Sequence, residues 1–371
     1  MFTKKPYRAV GMMSGTSLDG IDVAEIVTDG DTIFEFGRSS YHAYDDQHRQ
    51  VLRSGLGCWP HPDLDPLQRL VEQLHLAAAA EFEADIFGFH GQTLAHDPAG
   101  GRTHQIGNGQ VLADQLGVPV AWDFRSRDVA HGGQGAPLAP FFHFACAKYC
   151  GVTDPIAILN LGGVGNITYV DPRYHDPAVE GAVLAFDTGP ANAPINDAMM
   201  ARFGVAYDEN GRVAVQGHVD RDIVQRTLAL DYFAAPAPKS LDRDAFAQVF
   251  DWISDAKDGD AIATLTQIVV ATVVHAVAQL PQRPSSLWVT GGGRKNPVIM
   301  GELSHGLPCP VIPIEAVGLD GDMLEAQAFG YLAVRVARGL PISAPMTTGV
   351  PVLMEGGQIA HPQSRAATGP A

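Results

Sequence analysis

Three glycine-bearing turns, each following a short apolar run, hold the residues of this chain best suited to chemistry. In the first, R-A-V-G-M-M-S-G-T-S-L-D-G-I-D-V-A (Arg8–Ala24), Ala9 and Val10 lead into Ser14, Gly15, Thr16 and Ser17, and the chain leaves through Ile21, Val23 and Ala24. That order predicts a strand, a tight loop and a second strand. Glycine lets backbone N–H groups approach an anion with no Cβ between them, and the hydroxyls of Ser14, Thr16 and Ser17 add donors, so the chemistry indicated is phosphate binding. The second turn breaks P-I-A-I-L-N-L (Pro155–Leu161) at Gly162, Gly163 and Gly165 before N-I-T-Y-V, and the third, G-G-G-R-K-N (Gly291–Asn296), follows L-W-V-T. Each alone is also compatible with an ordinary structural turn. Together they meet what a triphosphate clamped between two lobes requires: one loop on the β- and γ-phosphates, one from the opposite lobe, and one giving purine and ribose a backbone without side chains. No G-x-x-x-x-G-K-[ST] lies near the first turn, which excludes a Walker-type loop, and the dinucleotide pattern G-x-G-x-x-G is missing after the first strand.

The elements that must position these turns fit an α/β protein of two lobes. At 371 residues and 46% hydrophobic content the chain exceeds one typical domain. One lobe is expected over residues 1–130 and 324–371, the other over 131–323. Helices are predicted over Leu67–Glu83, Ile262–Leu280 and Leu324–Arg338, and a strand runs through A-D-I-F-G-F-H-G-Q-T into a polar turn. The repeated strand, glycine turn, strand unit suggests two related lobes, and the Pro/Gly-rich tail is expected to be partly without fixed structure. A net charge of −16 argues against nucleic acid or an anionic membrane as the main partner. Cys146 and Cys150 are spaced i, i+4 but have no further ligands beside them to complete a tetrahedral site, so free thiols in a reducing cytoplasm are expected. The N-terminal M-F-T-K-K-P-Y-R carries no apolar core of a signal peptide, and a soluble, cytoplasmic protein is the expectation.

Eight blocks then follow one another in a specific order: G-M-M-S-G-T-S-L-D-G-I-D (Gly11–Asp22), G-F-H-G-Q-T (Gly88–Thr93), Q-I-G-N (Gln105–Asn108), D-F-R-S-R-D-V-A-H-G-G-Q-G-A-P-L (Asp123–Leu138), N-L-G-G-V-G-N-I-T (Asn160–Thr168), F-D-T-G-P-A-N (Phe186–Asn192), G-G-G-R-K-N (Gly291–Asn296) and E-A-Q-A-F (Glu325–Phe329). In content and order the chain resembles the anhydro-N-acetylmuramic acid kinase family over nearly its whole length. The resemblance implies a two-lobed actin-like ATPase/sugar kinase fold, with mixed sheets flanked by helices and a central interlobe cleft. It also implies an enzyme that uses ATP, with Mg²⁺, and water to open the 1,6-anhydro ring of 1,6-anhydro-N-acetylmuramic acid, giving N-acetylmuramic acid 6-phosphate in cell-wall recycling. The sugar and ATP are the partners expected, with a homodimer as the assembly to test. Two rival readings use the same residues: an ATP-independent hydrolase working with Asp187 and Glu325, and an actin-like nucleotide-binding protein that turns over no sugar.

The resemblance also implies roles for individual residues. Asp187, at the end of an apolar strand, is where the family places the base that activates water; a helix cap is the bland alternative. Glu325 is implied to orient the sugar, against a plain interaction with its helix dipole. Arg125 and Arg127 are candidates for the substrate's lactyl carboxylate, against internal pairing with Asp123 or Asp128. His90 and Gln92 are expected to meet substrate, against a hydrogen-bonded core histidine. Nucleotide binding is assigned to Gly15, Thr16, Ser17, Leu18, Asp19, Gly20, Ile21 and Asp22, to Gly162, Gly163 and Asn166, and to Gly291, Gly292, Gly293 and Asn296. Asp19 and Asp22 are within reach of Mg²⁺ through water, with the metal ligands left unassigned. Two places depart from the family pattern: Ala191 stands where Gly is expected, and P-K-S-L-D-R-D (Pro238–Asp244) replaces P-K-S-T-G-R-E, which bears on loop shape and sugar affinity.

Overall fold

The computed structural model describes residues 5–241 and 246–363 and forms two compact units, Met1–Tyr149 with Met323–Ala371 and Cys150–Asp322. Asp242, half of the Leu241–Asp242 departure, lies outside the described residues. In the first unit β1 (Tyr7–Ser14), β2 (Gly20–Thr28) and β3 (Ile33–Ala43) form an antiparallel meander. β4 (Ile86–Asp97) runs parallel to β1, β5 (Arg102–Ile106) folds back on β4, and β6 (Val120–Trp122) runs parallel to β4. β1 is buried from Ala9 to Ser14 without alternation, as expected of a central strand covered on both faces. Helix Asp65–Ala79 covers one face with Leu67, Val71 and Ala78, which join Val10, Met12, Phe87 and Phe89 in the core. Each of these side chains larger than alanine contributes about 1.5–3 kcal/mol on burial.

The second unit repeats this plan. β7 (Ile156–Leu161), β8 (Val164–Val170) and β9 (Val183–Pro190) make the antiparallel meander, and β10 (Leu287–Thr290) and β11 (Val311–Pro313) follow β7 in parallel. The strand order β11-β10-β7-β8-β9 matches β6-β4-β1-β2-β3 of the first unit. Both loops expected to bind phosphate are therefore the first hairpin of their own sheet. Helix Asp258–Ala278 is long and apolar enough to cross a bilayer, but 72% of its apolar window is buried in the protein, and Ile262, Leu265, Val269 and Val273 belong to the core.

The chain returns to the first unit in helix Leu324–Ala337, which lies on β1, β2 and β4 at backbone distance. A Cβ on Gly11 would sit 1.8 Å from the Ala326 carbonyl oxygen, and one on Gly88 would sit 2.1 Å from that of Phe329. Glycine is required at both, because a side chain would push the helix off the sheet. Beyond it, within the Pro/Gly-rich tail, β12 (Gln358–Ala360) pairs antiparallel with β6 and completes the sheet edge, while residues 364–371 of that tail lie outside the described residues. The expected end of the first unit at residue 130 is also exceeded. Helix Pro140–Tyr149 stays with that unit because Phe142 sets its ring 6.3 Å from Phe36 and 5.8 Å from Tyr331.

Candidate active site

The first loop is held from behind. Gln92, fully buried at the point where β4 passes the β1–β2 turn, accepts from the Ser14 hydroxyl at 2.5 Å and donates to the Gly15 carbonyl at 3.2 Å. Tyr44 completes the support through its hydroxyl, 2.8 Å from Ser14 Oγ. Gln92, expected to meet substrate, thus has its amide engaged in shaping the loop. Leu18 takes the left-handed conformation (φ 56°) that closes the turn, and its side chain, like that of Ile21, is buried in the core. What remains outward is Thr16, Ser17 and Asp19. The N–H groups of Thr16 and Ser17 donate to no described residue, which leaves them open to an anion. The Asp19 carboxylate accepts from Ser17 Oγ and Gly20 N–H, and Asp22 lies on β2 opposite Met13 and Tyr41.

His90, Arg125 and Glu325 come together; Arg127 does not join them. His90 Nδ1 lies 2.8 Å from the Gly91 carbonyl, and Arg125 Nε donates to His90 Nε2 at 3.1 Å. Both ring nitrogens are used, so His90 has none left for a sugar, contrary to expectation. Burial first, and then the Arg125 charge, hold this imidazole well below its usual range. Arg125 also donates through Nη1 to the Gly135 carbonyl at 2.7 Å, and it feels the charge of Glu325 in the first turn of helix Leu324–Ala337. Neither neighbouring aspartate pairs with it. Asp123 takes Ser126 and Gln358, while Asp128, fully buried, takes Gly135 N–H, Ser343 and Thr348. Arg127 is exposed and pairs with no described residue.

In the second unit the Gly162–Gly163 turn has its carbonyls occupied: Asn192 N–H donates to Gly162 O at 2.9 Å, and Ala191 and Ala193 donate to Gly163 O at 3.1 and 3.2 Å. Asn192 adds its side chain to Leu161 O at 2.7 Å. These bonds fasten helix Asn192–Phe203 to the loop and turn the peptide N–H side of the glycines away from it. Across the sheet, Thr290, Asn160, Asn166 and Asp187 stand in register on β10, β7, β8 and β9. Asn160 and Asp187 are the partly exposed positions of otherwise buried strands.

Asp187 caps none of the described helices, the nearest of which begins after Ala191. Its Oδ2 accepts from Leu241 N–H at 2.7 Å, its own N–H donates to Lys239 O at 2.9 Å, and the Tyr232 hydroxyl donates to its carbonyl at 2.6 Å. Lys239 does not neutralise it, because that ammonium is spent on the carbonyls of Ala235 (2.9 Å) and Tyr232 (3.1 Å). Desolvation, opposed by the Leu241 hydrogen bond and with no cation paired to it among the described residues, raises the Asp187 carboxyl to about 7.

The third loop presses on the second. Gly291 (φ 74°) packs against Asn160 and Leu161, where a Cβ would lie 2.3 Å from Asn160 Oδ1. Asn296, expected to bind nucleotide, instead caps helix Pro297–Gly306 by accepting from Val298 and Ile299 N–H. Arg294 pairs with Glu315 and Asp322, and Lys295 with Asp322, so neither cation is held for phosphate. The loop offers Gly292, exposed, as its open surface.

Asn160, Asn192, Tyr232 and Lys239 stand at the site beyond the residues expected there from the sequence. One of them had a sequence signal: Asn160 and Asn166 are equidistant from Gly163 and so must pair across the hairpin. The other three act through contacts with distant chain segments.

The family model described as anhydro-N-acetylmuramic acid kinase matches residues 7–361. The anhydro-N-acetylmuramic acid kinase of Roseobacter denitrificans is 56% identical over 362 residues, covering 97% of this chain and 96% of its own. That of Cereibacter sphaeroides is 56% identical over 360 residues, covering 96% and 97%. Among solved structures, component A of (R)-2-hydroxyglutaryl-CoA dehydratase from Acidaminococcus fermentans is 13% identical, with 89% and 98% covered and a TM-score of 0.46.

Proposed function

The chain belongs to the anhydro-N-acetylmuramic acid kinase family, and on that premise we propose that Asp187 is the base that activates water in its reaction. The enzyme is a phosphotransferase of peptidoglycan recycling, acting on 1,6-anhydro-N-acetylmuramic acid with ATP. In that substrate O6 is already bonded to C1 and has no proton to lose. The base must therefore act on water.

A water proton passes to Asp187, whose Oδ1 is the oxygen not engaged by Leu241, and the hydroxyl forms a bond to C1. The C1–O6 electron pair returns to O6, which bonds to the γ-phosphorus as ADP leaves. Opening and transfer belong together because O6 is a poor leaving group unless its charge passes to phosphorus. The observation that carries this reading is the Asp187 carboxyl itself, desolvated, paired with no cation among the described residues and raised to about 7, where it is both available and basic near neutrality.

Thr16 and Ser17 N–H, the Gly162–Gly163 turn and Gly291–Gly293 are our candidates for ATP. Among the described residues no three His, Cys, Asp or Glu side chains gather as a metal cage. That suits Mg²⁺ carried by the triphosphate and held by one or two carboxylates, for which Asp19 and Asp22 are the candidates on the first hairpin. Mg²⁺ would neutralise phosphate charge during transfer. Arg125, with Glu325 beside it, is assigned to the lactyl carboxylate. ATP as substrate argues for a cytoplasmic enzyme.

Incubation with ATP and the anhydro-sugar, followed by mass analysis, tests the whole reading. The expected product is N-acetylmuramic acid 6-phosphate, one per ADP. Free N-acetylmuramic acid formed without ATP would indicate the hydrolase, and nucleotide binding with no sugar product would indicate a binding protein.

A further inference from the structure

We propose that His90 is a positioning residue that fixes the guanidinium of Arg125 without cancelling its charge, keeping that charge for an anionic group of the sugar. The inference rests on the reading that Arg125 meets the substrate carboxylate.

The Gly91 carbonyl can only accept, so His90 Nδ1 carries the ring proton and Nε2 presents a lone pair. Arg125 Nε–H donates to that lone pair at 3.1 Å. A second anchor stands at Nη1, which donates to Gly135 O at 2.7 Å. Gly135 is itself pinned, since its N–H donates to buried Asp128 at 2.6 Å and the other Asp128 oxygen accepts from Ser343 and Thr348. Two anchors on a planar group fix its plane, and the Nη2 end is engaged by no described residue.

The chemistry of the first anchor is the telling part. Buried arginines are commonly held by carboxylates, which neutralise them. Here both carboxylates near it in sequence, Asp123 and Asp128, are bonded elsewhere, and the group that reaches Nε is a neutral imidazole. The ring is held at 4.6 Å from that of Phe329, on the helix that also carries Glu325. A neutral acceptor gives orientation and leaves the positive charge to attract an anion.

His90→Phe keeps an aromatic ring beside Phe329 and removes the acceptor. It is expected to raise the KM for the anhydro-sugar about tenfold while the KM for ATP stays within about twofold. His90→Gln, whose amide oxygen reaches the Nε2 position, should restore most of the loss, and His90→Phe in an Arg125→Ala background should add nothing. Equal rises in both KM values, or no recovery with Gln, overturn the inference. If Arg125→Ala raises the sugar KM but His90→Phe does not, the inference falls and the carboxylate reading stands; if Arg125→Ala leaves it unchanged, both fall. Nitrogen-15 NMR of the wild-type ring needs no variant to fold: a neutral Nδ1–H tautomer is expected, and an Nε2–H tautomer or an imidazolium at neutral pH overturns the proposal.

Discussion

Replacing Asp187 by Asn removes a base while keeping the shape of the site, because the amide oxygen can still accept from Leu241 N–H. A general base contributes about two to four orders of magnitude, so kcat should fall by about 10²–10⁴, or about 2.7–5.5 kcal/mol of transition-state stabilisation. Nucleotide binding should persist. With the carboxyl near 7, wild-type turnover should climb as pH rises from 6 to 8 and then level off, and this limb should vanish in the variant. The same shift has a stability consequence of opposite sense. Below the unfolded value near 3.8 both states carry the proton; between there and 7 the folded state holds a proton the unfolded state has lost, so stability falls as pH rises through that window. The full penalty is present above 7 and amounts to at most about 4 kcal/mol, at 1.36 per pH unit. Asp187→Asn should therefore be more stable than wild type at pH 8 and lose that advantage by pH 4. Turnover followed by ADP release, sugar products by mass analysis and thermal melts at both pH values check this. Near-normal turnover, an unchanged pH limb in the variant, or loss of nucleotide binding would refute the assignment.

Two further outcomes test how the loops are held. Gly11→Ala places a methyl 1.8 Å from the Ala326 carbonyl and 2.4 Å from Gly330 N, backbone on both counts, so a loss of more than about 4 kcal/mol or failure to fold is expected; denaturant titration showing a loss under about 1 kcal/mol would refute the close packing. Gln92→Leu strips the Ser14 and Gly15 supports at about 1–3 kcal/mol for each buried group left unpaired, and should raise the KM for ATP several-fold with the sugar KM unmoved. A selective rise in the sugar KM would return Gln92 to the substrate.

The glycine turns, their flanking strands and the long helices were legible because each depends on neighbours a few residues away. Turn chemistry and apolar periodicity act locally, and β1–β2, β7–β8 and helix Asp258–Ala278 lie where those signals put them. Tertiary structure decided which polar groups at the strand ends remain free. Gln92 reads as a ligand contact until Ser14, far away in the chain, claims it, and His90 until Arg125 does. Asn296 is used by its own helix, and Arg294 and Lys295 by carboxylates at 315 and 322. β12 forms from an unpromising tail because β6 offers an unpaired edge. Asp187 shows the division within one residue: its place at the end of an apolar strand is written locally, whereas its basicity comes from the exclusion of water, with Lys239 turned to other carbonyls, and prevails over the opposing hydrogen bond from Leu241. Desolvation is a property of everything packed around a group, and no stretch of sequence near Asp187 contains it.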